Sequence, residues 1–223
     1  MTDTSGSRAE ILRRIRQALT DVPAEETPGD VPVARDYLRV HAPRSPRERT
    51  DLLAAHLTDY RAHVHRTEEA GLPGTVARLL AEHGTRRAVV PAGLPGAWLA
   101  EVSGVEVVSG GGGLTAGELD AVDSVITGCA LAVAETGTIV LDAGPDQGQR
   151  RITLIPDHHI CVVRAPEQVV DSVPQALPRL DPARPLTWIS GPSATSDIEL
   201  DRVEGVHGPR TLDVVIVTAQ SSA

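Results

Sequence analysis

The chain of 223 residues contains no lysine, no asparagine and no phenylalanine, and all 21 of its Lys and Arg positions are arginine. The missing lysine excludes a Schiff-base mechanism, a P-loop phosphate site and a lysine general base. A GC-rich genome explains the three absences together, because AT-rich codons encode these residues. The absences therefore restrict the chemistry without indicating a function.

Cysteine is almost as scarce, since the chain has two, Cys129 and Cys161. They form no C-x-x-C pair and no zinc-type spacing, and two thiols cannot hold a four-cysteine iron–sulfur cluster. Both lie in apolar, strand-like runs. We therefore expect buried free thiols in a reducing compartment, and no cofactor bound by this chain.

Positive charge is also in deficit, with a net charge of −9 and a pI near 5.3. An acidic chain has no global cationic field to hold a nucleic acid. No uncharged run approaches the roughly 20 residues of a membrane helix, and the N-terminus lacks an apolar signal segment. The sequence predicts a cytoplasmic protein with no nucleic-acid partner and no membrane span.

Two regions differ in composition. Ser7 and Glu10 form an S-x-x-E capping box, which predicts a short amphipathic helix whose arginines either face water or dock on an acidic partner. Residues 21–50 contain five prolines among charged and small residues, a composition typical of an extended connector. We predict an N-terminal helix and Pro-rich connector over 1–45, and one α/β domain over 46–223.

Short β-like and helical runs alternate from about residue 62 onward. Such alternation predicts βαβ units and a mostly parallel sheet covered by helices on both faces. Ligands of such sheets bind beyond the carboxyl ends of the strands.

The stretch "ALAVAETGTIVLDAG" (130–144) predicts an antiparallel hairpin, because two apolar runs flank Glu135, Thr136 and Gly137. A tight turn explains Gly137 but leaves Glu135 unexplained, since glutamate is a poor turn residue and a poor strand residue. We expect its carboxylate to point into a ligand cleft as a base, an acyl acceptor or a ligand contact.

Three other segments contain candidate site residues. At Gly191–Ser193, either Ser193 or Ser196 caps a short helix or the junction binds an anion, and these readings are compatible. His159 and Cys161 share a strand face, but two ligands do not make a metal site, so a hydrogen-bonding histidine is favoured. His207 lies in a loop before the last strand and is the better acid/base candidate.

Four ordered motifs resemble the lactate-utilisation protein C family, whose members carry the LUD domain. They are "ITGCALAVAETGTIVL" (126–141), "RRITLIPDHHICVV" (150–163), "ISGPSATSDIE" (189–199) and "GVHGPRTLDVVIV" (205–217). The resemblance implies a NagB/RpiA/CoA-transferase-like α/β fold. It also implies membership of a three-protein system that oxidises L-lactate to pyruvate, in which subunits A and B carry the iron–sulfur clusters.

The resemblance also implies site residues. Glu135 and His207 are the candidate catalytic residues, and no metal ligands are expected. The candidate ligand-binding residues are Thr127, Gly128, Thr136, Gly137, Thr138, Arg150, Arg151, His159, Gly191, Ser193, Thr195, Asp197, Glu199, Gly208 and Arg210. Arg150, Arg151 and Arg210 are included on the separate ground that an arginine is expected to neutralise a bound carboxylate.

Three functions remain open at this point. The first is a cytoplasmic subunit without clusters in an L-lactate-oxidising system, binding a small anionic metabolite and partnered by subunits A and B. The second is a stand-alone isomerase or acyl/CoA-transfer enzyme that uses Glu135. The third is a non-enzymatic metabolite sensor. The sequence leaves open whether the chain catalyses a reaction alone and whether it forms a homo-oligomer.

Overall fold

The computed structural model describes residues 4–23, 34, 36–110, 112–195, 203–204 and 207–218. The helices are α1 Thr4–Ala18, α2 Pro46–Asp59, α3 Leu72–Glu82, α4 Ala116–Asp120, α5 Arg150–Leu154 and α6 Val173–Ala176. Short 3₁₀ helices span Glu69–Gly71, Gly96–Leu99, Ala134–Thr136 and Leu177–Arg179. The strands are β1 His63–Glu68, β2 Arg87–Val90, β3 Glu106–Ser109, β4 Ser124–Thr127, β5 Leu131–Val133, β6 Thr138–Leu141, β7 His158–Ala165, β8 Val169–Val170, β9 Thr187–Ile189, β10 Ala194–Thr195, β11 Val203–Glu204 and β12 Thr211–Thr218.

The chain divides into two compact units, Met1–Tyr37 and Leu38–Ala223. The larger unit therefore begins ahead of residue 46, the start predicted for the α/β domain. Helix α1 belongs to the smaller unit and begins at Thr4, so the prediction that Ser7 caps it was wrong. A serine caps a helix only where the backbone before it is not helical. No proline precedes Ser7, so nothing in the sequence forces the helix to begin there.

Helix α2 is the first described helix of the larger unit. Ser45 and Glu48 form a capping box at its N-terminus. The Ser45 hydroxyl accepts from the Glu48 N–H at 3.2 Å, and the Glu48 carboxylate accepts from the Ser45 N–H at 2.7 Å. Leu53 and Leu57, one turn apart, are fully buried, as their helical spacing predicts.

The central sheet has six strands in the order β1-β12-β7-β4-β2-β3, and all its pairings are parallel. The predicted mostly parallel sheet is confirmed. Strands β7 and β12 are neighbours inside this sheet and are buried along nearly their whole length, because both of their faces are covered.

Each face of this sheet packs against a different layer. On one face, α3 contributes Leu72, Val76 and Leu80 to a core with Ile160 and Val215. Burying several such side chains stabilises this face by roughly 1.5–3 kcal/mol each.

On the other face, α2 and a second sheet in the order β8-β5-β6-β9 enclose a separate core. Cys129 and Cys161 lie in this second core, and both are buried and free, as predicted. Contact with the Cys161 thiol and burial raise the pKa of Cys129 well above its ordinary value. A thiol with a raised pKa forms little of the reactive thiolate.

The predicted hairpin is strands β5 and β6 of the second sheet, paired antiparallel from Leu131–Val140 to Val133–Thr138. The turn between them is the 3₁₀ helix Ala134–Thr136, and Gly137 then reverses the chain at φ 55°. A Cβ at Gly137 would stand 2.8 Å from the His56 Cβ, so both the backbone angle and the close approach of α2 require glycine.

Candidate functional site

A cavity of about 290 Å³ lies between the amino ends of β7 and β12 and the second sheet's strand β9. Its walls come from α5, the start of β7, the stretch from β9 to Ser193, and the loop before β12. The lining residues are Arg150, Thr153, Leu154, His159, Thr187, Trp188, Ile189, Ser190, Gly191, Pro192, Ser193, His207, Gly208, Pro209 and Leu212. The cavity therefore lies at the amino edge of the parallel sheet, whereas the sheet class predicted the carboxyl edge.

Arg150 places a cation at this cavity. It is the first residue of α5, and Ile152 in the middle of this helix is fully buried in a core with Val125 and Leu119. The described part of the chain offers the Arg150 guanidinium no hydrogen-bond or ion-pair partner. Its neighbour Arg151 differs, because the Arg151 guanidinium donates to the Leu114 carbonyl. Arg150 is thus the arginine at this end of α5 that is available to an anion.

His159 contributes a buried imidazole to the same cavity, with an exposed fraction of 1%. Its Nε2 lies 2.8 Å from the Thr127 hydroxyl oxygen, and Thr127 is itself fully buried in β4. Burial, with the nearby His158, lowers the pKa of His159 to about 3. The ring is therefore neutral at physiological pH and acts as a hydrogen-bonding group rather than as a cation.

Two hydrogen bonds from backbone N–H groups hold together the two loops of the cavity wall around Ser193 and His207. The His207 N–H donates to the Ser193 hydroxyl at 2.9 Å, and the Ser193 N–H donates to the Pro209 carbonyl at 2.8 Å. Gly191 has a φ of 82° and packs against Tyr60 at the end of α2. Ser193 precedes the two-residue strand β10, so the structure places no helix cap at this serine.

Glu135 lies outside the residues that line the cavity. Its carboxylate accepts from Arg44 Nη1 at 2.8 Å and contacts His41 Nδ1 at 2.6 Å. Burial alone would raise the pKa of Glu135, but the hydrogen bonds from Arg44 and His41 outweigh it and the pKa falls below its ordinary value. An ionised carboxylate whose oxygens are already bound by the Arg44 and His41 side chains is a poor general base.

The rest of this turn reaches the cavity through hydroxyl groups. The Thr136 and Thr138 hydroxyls lie 2.8 Å apart, and Thr138 lies 2.8 Å from the Ser190 hydroxyl, which lines the cavity. The turn therefore contacts the rim of the cavity with threonines rather than with Glu135.

The structure brings together six of the predicted site residues in the cavity wall. The six are Arg150, His159, Gly191, Ser193, His207 and Gly208. Thr127 stands behind His159, and Gly128 packs against Asp146. Arg210 is paired with Asp157 at 2.7 Å, and Thr195 pairs with Val203 between β10 and β11. Asp197 and Glu199 lie outside the described residues.

Several lining residues were missed from sequence, among them Thr153, Trp188, Ser190 and Leu212. In the sequence, Thr153 and Leu212 occupy ordinary helix and strand positions. Only the assembled fold places them at a cavity. Nothing in the sequence indicated Trp188 or Ser190, because the partial exposure of Trp188 on β9 is a property of the assembled fold.

A second polar cluster, on the opposite face of the central sheet, has the composition of a Ser–His–Asp triad. The Ser124 hydroxyl lies 2.9 Å from His158 Nδ1, and His158 Nε2 lies 2.8 Å from Asp213 Oδ2. Asp213 also binds His65, at 2.5 Å, and Thr85 binds Ser124 at 2.6 Å. Ser124 and His158 are fully buried, so this cluster has no accessible nucleophile and serves as a structural network.

Neither a metal centre nor a membrane helix is present in the described ranges. Within them, no group of three or more His, Cys, Asp or Glu side chains is arranged to hold a metal ion. No helix formed by these residues is long and apolar enough to cross a bilayer.

Comparison with known proteins identifies the fold and the family. The LUD domain family matches residues 115–217, the part of the chain that builds the hairpin, the cavity and three of the six strands of the central sheet. A crystal structure of a DUF162 family protein from Deinococcus radiodurans superposes with a TM-score of 0.66 and 40% identity, over 78% of this chain and 99% of that one. The fold and the site thus define an α/β protein of the LUD-domain class.

Full-length relatives narrow this class. Lactate utilization protein C of Deinococcus radiodurans is 44% identical over 218 residues, which cover 96% of this chain and 97% of that protein. Lactate utilization protein C of Geobacillus kaustophilus is 30% identical over 68% of this chain and 71% of its own length. The chain belongs to the lactate utilization protein C family.

Proposed function

We propose that this chain takes part in lactate utilisation as a cytoplasmic subunit without iron–sulfur clusters in a system that oxidises L-lactate to pyruvate. Its relatives carry the name lactate utilization protein C, which supports the first part of this statement. In this proposal the clusters belong to partner subunits A and B, and this chain binds a small anionic metabolite.

The observation that carries the proposal is the guanidinium of Arg150, which lines the cavity and has no hydrogen-bond or ion-pair partner among the described residues. Among the described residues, no carboxylate lines the cavity. An anion that enters it meets the Arg150 guanidinium and no negative charge from these residues. A charge-assisted hydrogen bond to a carboxylate is about twice as strong as a neutral one, which makes a small carboxylic acid the best-fitting ligand class.

The alternative of a stand-alone enzyme using Glu135 has less support. Its carboxylate is held by Arg44 and His41, and it does not line the cavity. The proposal therefore assigns Glu135 to binding the segment around Arg44, not to chemistry.

A complementation experiment separates these two functions. A strain lacking the gene for this chain is supplied with the wild type, Arg150→Gln or Glu135→Gln, and L-lactate-dependent oxygen consumption is measured. The proposal predicts that the wild type and Glu135→Gln restore consumption and that Arg150→Gln does not. Immunoblotting for equal protein levels is the control.

The opposite pattern, rescue by Arg150→Gln and none by Glu135→Gln, would contradict the proposal and favour the stand-alone enzyme. A parallel pull-down of the tagged wild-type chain from lactate-grown cells tests the subunit assignment. It should recover cysteine-rich partners that oxidise lactate, and recovery of the chain alone would refute that assignment.

A further inference from the structure

Helix α1 and the turn that follows it carry a row of exposed apolar side chains. Ile11, Ile15, Leu19 and Val22 recur at intervals of four, four and three residues, so they lie above one another on one side of the helix. Their exposed fractions are between 46% and 58%. Single exposed apolar residues are ordinary on a protein surface, but four in one row mark an interaction surface. We call these four residues the α1 stripe.

Arginines border the α1 stripe on both sides. Arg14 and Arg16 are the chain neighbours of Ile15, and successive residues of an α-helix point about 100° apart, so the two guanidinium groups flank the stripe. Helix α1 contains four arginines and one glutamate, whereas the whole chain has a net charge of −9. A cationic helix in an acidic protein is complementary to a surface with negative charge at its rim.

We propose that the α1 stripe docks into an apolar groove rimmed by carboxylates on a partner protein, with Arg14 and Arg16 over the rim. An amphipathic helix that lies in a groove is recognised through apolar anchors at this spacing. The inference rests on the proposed function, since it names the surface through which the chain binds subunits A and B.

The α1 helix of a second copy fits the stripe less well. Two such helices face to face would bring two sets of four arginines together, and like charges oppose association. Leu12, Ile15, Leu19 and Val22 have the spacing of a coiled-coil seam, but they cover two heptads. A coiled coil is indicated by at least about three heptads.

The body of a second copy also fits less well. In the part of Leu38–Ala223 that the structure describes, the large exposed apolar side chains lie on separate segments. Leu38 and Val40 precede α2, Tyr60 follows it, Val107 lies in β3, Leu177 in a 3₁₀ helix and Trp188 in β9. Scattered residues of this kind do not match a continuous row of four.

An anionic bilayer is the other surface that attracts a cationic amphipathic helix. Helices that lie in a bilayer interface present aromatic residues or leucines on the apolar face, and α1 contains no aromatic residue. Glu10 stands among the arginines and accepts from Arg13 at 2.7 Å and from Arg14 at 2.9 Å. This carboxylate neutralises part of the positive charge and would be repelled by lipid phosphates. A protein groove is therefore the better-fitting partner.

The test measures the affinity of the tagged full chain for purified subunits A and B of the same system by biolayer interferometry. Ile15→Ala should weaken the association at least about tenfold, because it removes the central apolar anchor. Alanine is the strongest helix former, so this loss reports the contact and not the helix. Gln17→Ala, which changes an exposed residue on the opposite side of α1, is the matched control and should bind as the wild type does.

Charge gives a second, independent readout. Arg16→Glu should weaken the association at least about tenfold, since it places a carboxylate at a negatively charged rim. The wild-type affinity should fall as the salt concentration rises from about 50 to 500 mM, because salt screens exposed charges, and the affinity of Arg16→Glu should not. Circular dichroism and thermal melting check that each variant is folded.

The outcomes separate the inference from the proposed function. If the wild type binds subunits A and B and both Ile15→Ala and Arg16→Glu bind equally well, the α1 stripe is not the docking surface, while the proposed function stands. If the wild type binds neither subunit, both the inference and the subunit assignment fail.

Two further measurements address the other occupants. Cosedimentation of the wild type, but not of Ile15→Ala, with vesicles of phosphatidylglycerol and phosphatidylethanolamine would assign the α1 stripe to a bilayer. Self-association in light scattering that Ile15→Ala abolishes would assign it to a second copy. Either result overturns the inference.

Discussion

Replacing Asp213 with asparagine should destabilise the fold substantially, because this carboxylate joins three strands of the central sheet. Asp213 in β12 accepts from His158 Nε2 of β7 at 2.8 Å and from His65 Nε2 of β1 at 2.5 Å. It is 6% exposed. Asparagine keeps one acceptor oxygen and turns an NH₂ group toward the other histidine, so one of the two hydrogen bonds becomes a donor–donor contact.

The expected loss follows from these two bonds. A hydrogen bond to a charged group contributes about 1.5–3 kcal/mol, so the loss of one bond and the weakening of the other reduce the free energy of unfolding by about 2–4 kcal/mol. For a chain of this length that lowers the melting temperature by roughly 5–10 °C. Urea denaturation near pH 7 measures the first quantity and calorimetry the second. Asp51→Asn, which removes an exposed partner of Arg66, is the control and should leave the midpoint unchanged.

The pH dependence provides a second test of the same network. Burial would raise the pKa of Asp213, but hydrogen bonds from His158 and His65 outweigh it and place the pKa below its ordinary value. A lowered folded-state pKa stabilises the fold above the unfolded-state value near about 4, and this contribution is lost as the pH falls through the folded value. The stability difference between wild type and Asp213→Asn should therefore narrow below about pH 4. A difference under about 0.5 kcal/mol at neutral pH, or one that widens in acid, would refute this reasoning.

Three further predictions concern the second sheet and α2. Leu57→Ala should reduce the free energy of unfolding by about 2–5 kcal/mol in urea denaturation, because Leu57 is fully buried, whereas Leu38→Ala at an exposed site should not. Gly137→Ala should cost at least about 1 kcal/mol, because φ is positive and a Cβ would stand 2.8 Å from His56; an unchanged urea midpoint would show that the turn adapts. Glu135→Gln should lower the melting temperature by less than Asp213→Asn, since it weakens contacts with Arg44 and His41 near the surface. It should also leave the affinity for L-lactate unchanged. A loss of that affinity would show that Glu135 takes part in ligand binding.

Local patterns predicted much of the fold. Gly137 between two apolar runs predicted the β5–β6 hairpin, whose strands pair antiparallel. The alternation of short strands and helices predicted the parallel central sheet. These features depend on residues within a few positions of one another, so a single sequence contains their cause.

The arrangement of the site depends on distant residues, and the sequence could not supply it. Glu135 is bound by His41 and Arg44, which stand 94 and 91 positions earlier, and no spacing rule relates such pairs. His159 was selected as a hydrogen-bonding residue, but its partner Thr127 comes from the neighbouring strand β4. The direction of the Glu135 side chain was thus the part of the site that sequence reasoning could least determine.

Direct binding of L-lactate by the wild type and by Arg150→Gln tests the central claim most directly. Calorimetric titration should show binding to the wild type and at least about tenfold weaker binding to Arg150→Gln, because the variant loses a charge-assisted contact to the carboxylate. Arg47→Gln, which removes an arginine with a 93% exposed side chain away from the cavity, should bind as the wild type does. Equal affinity of the wild type and Arg150→Gln would contradict the assignment of this cavity as the carboxylate site.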